Sequence, residues 1–181
     1  MYSPSSMASI LMKPDRSIVL VGLMGAGKST IGRRLAQRLR LPFVDADTEI
    51  ETAAGMPIAE MFARYGEPYF RDGERRVIAR LIDGKPKVIA TGGGAFVNAE
   101  TRALILGEAT AVWLDADIDV LVERVRRRDS RPLLKDRDPR DVLRELARAR
   151  NPIYAQAHIR IPSNRAPHDV TVAAILKAIG R

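Results

Sequence analysis

The segment Gly22-Leu23-Met24-Gly25-Ala26-Gly27-Lys28-Ser29 fits the pattern G-x-x-x-x-G-K-[ST] in full. It follows a β-branched run, Ser17 to Val21. It precedes a stretch in which Ile31, Leu35 and Leu39 recur at i, i+4 and i+8, the buried stripe of a helix from about Lys28 to Arg40. A strand that turns through glycines into a helix makes a cradle for phosphate. The glycines let backbone N–H groups converge on phosphate oxygens without Cβ clashes, and the helix N-terminus adds about half a positive charge. Lys28 supplies a mobile ammonium for β- and γ-phosphates, and Ser29 offers a hydroxyl to Mg²⁺. Gly25, Ala26, Gly27, Lys28, Ser29 and Thr30 are therefore the expected ATP contacts. A glycine-rich turn that carries Lys-Ser by chance would need neither flank, and both are present.

Beyond this motif, short apolar runs and helical periodicities alternate to the end of the chain, which is the mark of βαβ units and a parallel sheet. Strands are expected at Pro42–Val44, Lys87–Ala90, Thr110–Leu114 and His158–Ile161. Helices are expected at about Pro57–Arg64, Pro68–Ile82, Ala99–Leu106, Ile118–Arg128, Arg140–Arg150 and Asp169–Ile179. The fold class that results is α/β: a three-layer α/β/α P-loop NTPase domain on a five-stranded parallel sheet, similar to the nucleoside monophosphate kinases. Ser130 to Pro139 is charged and holds two prolines, so it reads as a mobile loop.

A length of 181 residues suits one such domain, residues 17–181, with 1–16 as a Ser/Pro-punctuated, flexible extension in which Met7 is an alternative start. The apolar stretch Ala8 to Met12 is too short for a signal-peptide core, and no run approaches the roughly 20 residues of a membrane span. There are 0 cysteines, so disulfides, thiolate metal sites and cysteine nucleophiles are excluded, and a cytoplasmic location is expected. The formal charge of +8 raises nucleic acid as a partner. Yet aromatic residues are only 5%, too few for the stacking platforms of single-strand binding, and a positive field equally serves ATP and an anionic acceptor. No nucleic-acid partner, no membrane and a monomeric state are expected.

Ligands of parallel α/β sheets lie beyond the carboxyl ends of the strands, and two strand ends here are unusual. After the second strand stand Asp45 and Asp47, on one side of an extended segment. One can hold Mg²⁺ through a water while the other meets an acceptor hydroxyl. The same pair could instead be turn residues ahead of a helix, with Asp47 or Thr48 as its N-cap. After the third strand come Gly92, Gly93 and Gly94, where a ligand can lie directly on the backbone.

Together, GLMGAGKST (22–30), DAD (45–47), FRDGE (70–74), TGGGA (91–95), RPLL (131–134) and RNPIY (150–154) resemble the shikimate kinases in order and approximate spacing. The resemblance spans about residues 17 to 165. It implies transfer of the ATP γ-phosphoryl group to the 3-hydroxyl of shikimate, with Mg²⁺ required. By position it also implies roles. Asp47 would face the acceptor hydroxyl as base or orienting group, and Asp45 would sit in the outer sphere of a metal bound by Ser29. Arg71 and Arg150 would pair with the substrate carboxylate, and Glu74 would orient Arg71. Gly93, flanked by Gly92 and Gly94, would meet ring hydroxyls. Phe62 and Phe70 would wall the pocket. Arg131, in the mobile loop, would close on the ATP phosphates beside Lys28. The chemistry is coherent: a planar guanidinium reads a carboxylate bidentately, and an aspartate with an ordinary pKa of about 3.9 is ionised at neutral pH.

Other residues are set aside. Val112-Trp113-Leu114-Asp115 mimics a magnesium-binding strand end, but Asp115 or Asp117 reads as a cap of the next helix. The run Arg124 to Arg128 reads as a solvated helix face from which one arginine brushes the adenine. His158 and His168 are too isolated for a metal pair and read as structural or exposed. Gly73 sits inside the predicted Arg71-bearing helix and is expected to loosen Arg71 and Glu74.

Overall fold

β1 (Ile18–Val21) is wholly buried because it lies at the centre of the sheet, with β3 (Val88–Ala90) on one side and β4 (Thr110–Asp115) on the other. β2 (Phe43–Asp45) and β5 (Ile159–Pro162) form the two edges, giving the order β2-β3-β1-β4-β5 with every pairing parallel. Leu20 stands opposite Ala90 on one flank and Val112 on the other. These features come from a computed structural model, which describes residues 14–127 and 136–181. The first 13 residues of the expected extension 1–16 and residues 130–135 of the expected loop, Arg131 among them, lie outside the described residues.

Parallel strands need crossover helices, and these cover the sheet. They are α1 (Lys28–Leu39), α2 (Ala46–Ala54), α3 (Ile58–Leu81), α4 (Ala99–Glu108), α5 (Ile118–Arg126), α6 (Pro139–Tyr154) and α7 (His168–Ala178). The stripe Ile31, Leu35 and Leu39 is buried against the sheet as its spacing demands. At roughly 1.5–3 kcal/mol per buried aliphatic side chain, that stripe is what fixes α1 to the core. Tyr154, Phe96 and Trp113 form an aromatic layer under the carboxyl ends of the strands. No helix among the described residues is long and apolar enough to cross a membrane.

Several elements differ from expectation. β2 ends one residue later than expected, so Asp45 closes the strand. α2 is the helix that the sequence offers only as an alternative reading of the acid pair, because only Ala46 and Ile50 are buried along it and no stripe announces it. Its N-cap is Asp45 rather than Asp47 or Thr48. Asp45 Oδ1 accepts from the N–H of Asp47 at 3.0 Å and of Thr48 at 3.4 Å. The two helices expected over 57–64 and 68–82 run end to end as α3, with a break at Gly66 (φ 80°, ψ 173°). Pro68 explains the break, since its ring excludes a normal helical turn before it. α6 continues past Arg150, through Pro152, to Tyr154.

Candidate active site

The phosphate cradle has the geometry its sequence requires. Gly25 (φ 82°) and Gly27 (φ 92°) are both left-handed, a conformation that β-carbons resist, and Gly27 is the N-cap of α1. Lys28 is buried and its ammonium reaches back over the loop to donate to the carbonyls of Gly22 (2.7 Å) and Leu23 (2.8 Å). From the same helix, Ser29 Oγ donates to Asp45 Oδ2 at 2.8 Å. One oxygen of Asp45 therefore caps α2 while the other meets Ser29. A hydroxyl and a carboxylate in contact offer the hard oxygens that suit Mg²⁺, which keeps several waters and takes few protein ligands. Ser29 and Asp45 fit that ion.

A cleft of about 340 Å³ joins this cradle to the ends of β2 and β3, and its walls include Lys28, Ser29, Asp45, Asp47, Gly92 and Gly93. Asp47, in the first turn of α2, packs on the glycine turn. A Cβ built at Gly92 would lie 2.8 Å from Asp47 Oδ1, so any side chain there would displace the carboxylate.

Opposite Asp47, α3 and α6 each deliver one guanidinium. Arg71 Nη1 donates to Glu74 Oε1 at 2.8 Å and Nε to Glu67 Oε1 at 3.3 Å. The Arg71 guanidinium lies against Gly94, where a built Cβ would come within 2.5 Å of Nη2 and Cζ, so a side chain there would displace it. Arg150 Nη1 lies 3.3 Å from a Cβ built at Gly93. The three glycines are thus matched one by one to Asp47, Arg150 and Arg71. Burial raises Glu74 above its ordinary value of 4.5, Arg71 opposes that shift most, Asp47 adds to it and Arg150 reduces it. These charges share one field. Phe70 is buried, Phe62 is 37% exposed, and their rings stand 4.6 Å apart. Arg71 also lies over the Phe70 ring at 5.0 Å. Gly73 does not separate Arg71 from Glu74, which pair across it.

Three residues near the cleft lie outside the site set expected from the sequence. Arg124 is the arginine of its run that turns to the phosphate loop: Nη1 donates to Gly25 O (3.1 Å) and Nη2 to Asn164 O (3.2 Å), and burial lowers its pKa from the ordinary value. His168, expected to be structural or exposed, lines the cleft at the start of α7. Burial first, then Arg124 and Arg34, lower its pKa from 6.5. Tyr154 Oη donates to Gly93 O across 61 positions of sequence. Arg124 and His168 carry no local signal; Tyr154 closes the motif RNPIY (150–154), but its contact with Gly93 comes from the packing of distant elements. His158 is structural as expected, its Nδ1 accepting from Ala111 N–H at 2.9 Å. Asp115 does not cap α5; its Oδ2 is held by Arg160 Nε at 2.9 Å. Asp117 occupies the N-cap position without a side-chain hydrogen bond.

A cradle for phosphate, an acid at an acceptor surface and paired guanidiniums suit transfer of a phosphoryl group to a small anionic alcohol. The family model described as "Shikimate kinase" matches residues 24–180. A shikimate kinase of Caulobacter vibrioides is 62% identical, covering 91% of this chain and 82% of that one. One from Novosphingobium aromaticivorans is 57% identical, covering 99% and 95%. The solved shikimate kinase of Acinetobacter baumannii, in complex with shikimate, superposes with a TM-score of 0.88 at 38% identity over 92% of this chain and 94% of that one. In sequence and in fold alike, this chain belongs to the shikimate kinase family.

Proposed function

We propose that the site transfers the γ-phosphoryl group of ATP to the 3-hydroxyl of shikimate, giving shikimate 3-phosphate and ADP in chorismate and aromatic amino-acid biosynthesis. The chain is an ATP-dependent kinase by its family. The observation that supports this acceptor is the meeting of Asp47, Arg71 and Arg150 on the Gly92–Gly94 turn beside the phosphate cradle.

The contacts support the following division of labour. Backbone N–H groups from Gly25 to Thr30, with Ala26 between the two left-handed glycines, hold the ATP phosphates. Arg71, braced by Glu74, and Arg150 take the shikimate carboxylate as a forked pair. Phe62 and Phe70 exclude water from the ring. The Gly93 backbone meets ring hydroxyls that no Cβ keeps away. Asp47 orients the 3-hydroxyl and accepts its proton as the new O–P bond forms. Lys28 and Arg131 place positive charge on the transferring oxygens; Arg131, outside the described residues, is assigned through its family motif. Ser29 would hold Mg²⁺ directly and Asp45 through a water, and the bound ion would neutralise phosphate charge. The proposal extends to a monomer acting in the cytoplasm without nucleic acid.

The test is ADP release by purified protein with ATP and Mg²⁺. Shikimate is expected to stimulate it, whereas gluconate, a nucleoside monophosphate or a polynucleotide is not. Stimulation by any of those three, with shikimate inert, would overturn the assignment.

A further inference from the structure

The glycine turn after β3 has no side chains to hold its peptide planes. Two of its carbonyls are fixed locally, Gly92 O accepting from Ala95 N–H and Gly94 O from Val97 N–H, each at 3.2 Å. The middle one is fixed from far away. Tyr154 is fully buried, its ring packed against Phe96 and Trp113 with centroids 6.5 and 6.0 Å apart, and its hydroxyl donates to Gly93 O. Glycine on both sides of a peptide bond lets that bond rotate between orientations with little steric cost. Because the peptide is planar and trans, anchoring the Gly93 carbonyl also sets the direction of the Gly94 N–H. Arg150 stands one helical turn before Tyr154 on α6 and approaches Gly93 as well. The end of α6 therefore grips the middle glycine with a hydroxyl and flanks it with a guanidinium.

We propose that Tyr154 is a positioning residue of the acceptor site, locking the Gly93–Gly94 peptide in the orientation that receives the substrate and holding it in register with Arg150. This rests on the functional reading given above. Burial raises the phenol above its ordinary value of 10.0, so the hydroxyl keeps its proton and remains a donor at working pH. Losing it would leave the Gly93 carbonyl without its partner and free the plane to turn.

Tyr154→Phe keeps the ring and deletes only the hydroxyl. The expected result is a KM for shikimate raised about tenfold, near what an unpaired buried carbonyl is worth, with the KM for ATP unchanged. Phe96→Leu disturbs the aromatic stack and spares the hydroxyl, so it should lower the melting temperature while leaving the shikimate KM in place. An unaltered shikimate KM in Tyr154→Phe, or an equal rise in Phe96→Leu, would overturn the proposal. The backbone amide resonance of Gly94, followed by NMR without substrate, should shift in Tyr154→Phe and not in Phe96→Leu. Wild-type protein that leaves shikimate untouched would overturn the functional reading, and the amide shift then decides the role of Tyr154 by itself.

Discussion

Arg71 donates from Nη1 to Glu74, a carboxylate only 2% exposed, at 2.8 Å. Burial outweighs this partner and raises the Glu74 pKa above 4.5. A carboxyl whose folded value is raised contributes stability fully below its unfolded value and loses it as the pH climbs through the folded value. Glu74→Gln should therefore remove a downward slope of stability against pH that begins near pH 4.5 in the wild type, as read by thermal melts across pH 4 to 8. The same variant should raise the shikimate KM severalfold, because a neutral amide holds Arg71 less firmly.

Asp47→Asn separates chemistry from binding. Turnover should fall about 10²- to 10⁴-fold, the usual worth of a positioned base. Nucleotide affinity, measured by calorimetry with ADP, should stay close to wild type. Retained turnover would remove Asp47 from the mechanism.

Asp45 has two jobs on two oxygens, and two variants tell them apart. Asn ranks with Asp as an N-cap, so Asp45→Asn should keep the melting temperature while raising the Mg²⁺ concentration needed for half-maximal activity. Asp45→Ala should show the same Mg²⁺ defect and also lose about 1 kcal/mol of stability by denaturant titration. Ser29→Ala should share the metal defect.

Two glycines of α3 should respond in opposite directions. A Cβ at Gly73 meets nothing within 4 Å, so Gly73→Ala should stabilise by about 0.5–1 kcal/mol without harm to the shikimate KM. Gly66 sits at φ 80°, and Gly66→Ala should destabilise by about 1 kcal/mol or more. Denaturant midpoints check both.

Much of this site is written locally. The cradle, the acid pair and the glycine turn each follow a strand directly, so strand ends and residue types locate them, and the parallel order of the sheet then sets them side by side. What escaped is carried by long-range packing or by weak local patterns. α2 shows two buried positions in nine residues, too few to announce a helix. Pro152 signals a helix end, yet α6 runs through it to seat Tyr154 in the core. Arg124 looks like one more arginine in a solvated run, and only the approach of α5 to the phosphate loop makes it an anchor for Gly25 O. His168 owes its position to the start of α7 beside Gly27.

Leu20 and Ala90 are partners in the central ladder, so Gly22 and Gly92 each leave their strand two residues further on, from adjacent strands about 4.8 Å apart. Donor and recipient loops therefore inherit their separation from main-chain pairing in the most deeply buried layer. Loop substitutions cannot retune that reach. Under the proposed assignment, selectivity can drift through changes on α2, α3 and α6, which furnish Asp47, Arg71 and Arg150, while the offset between the phosphate loop and the glycine turn stays constant. An architecture of this kind can accept a new alcohol without having to rebuild its triphosphate grip.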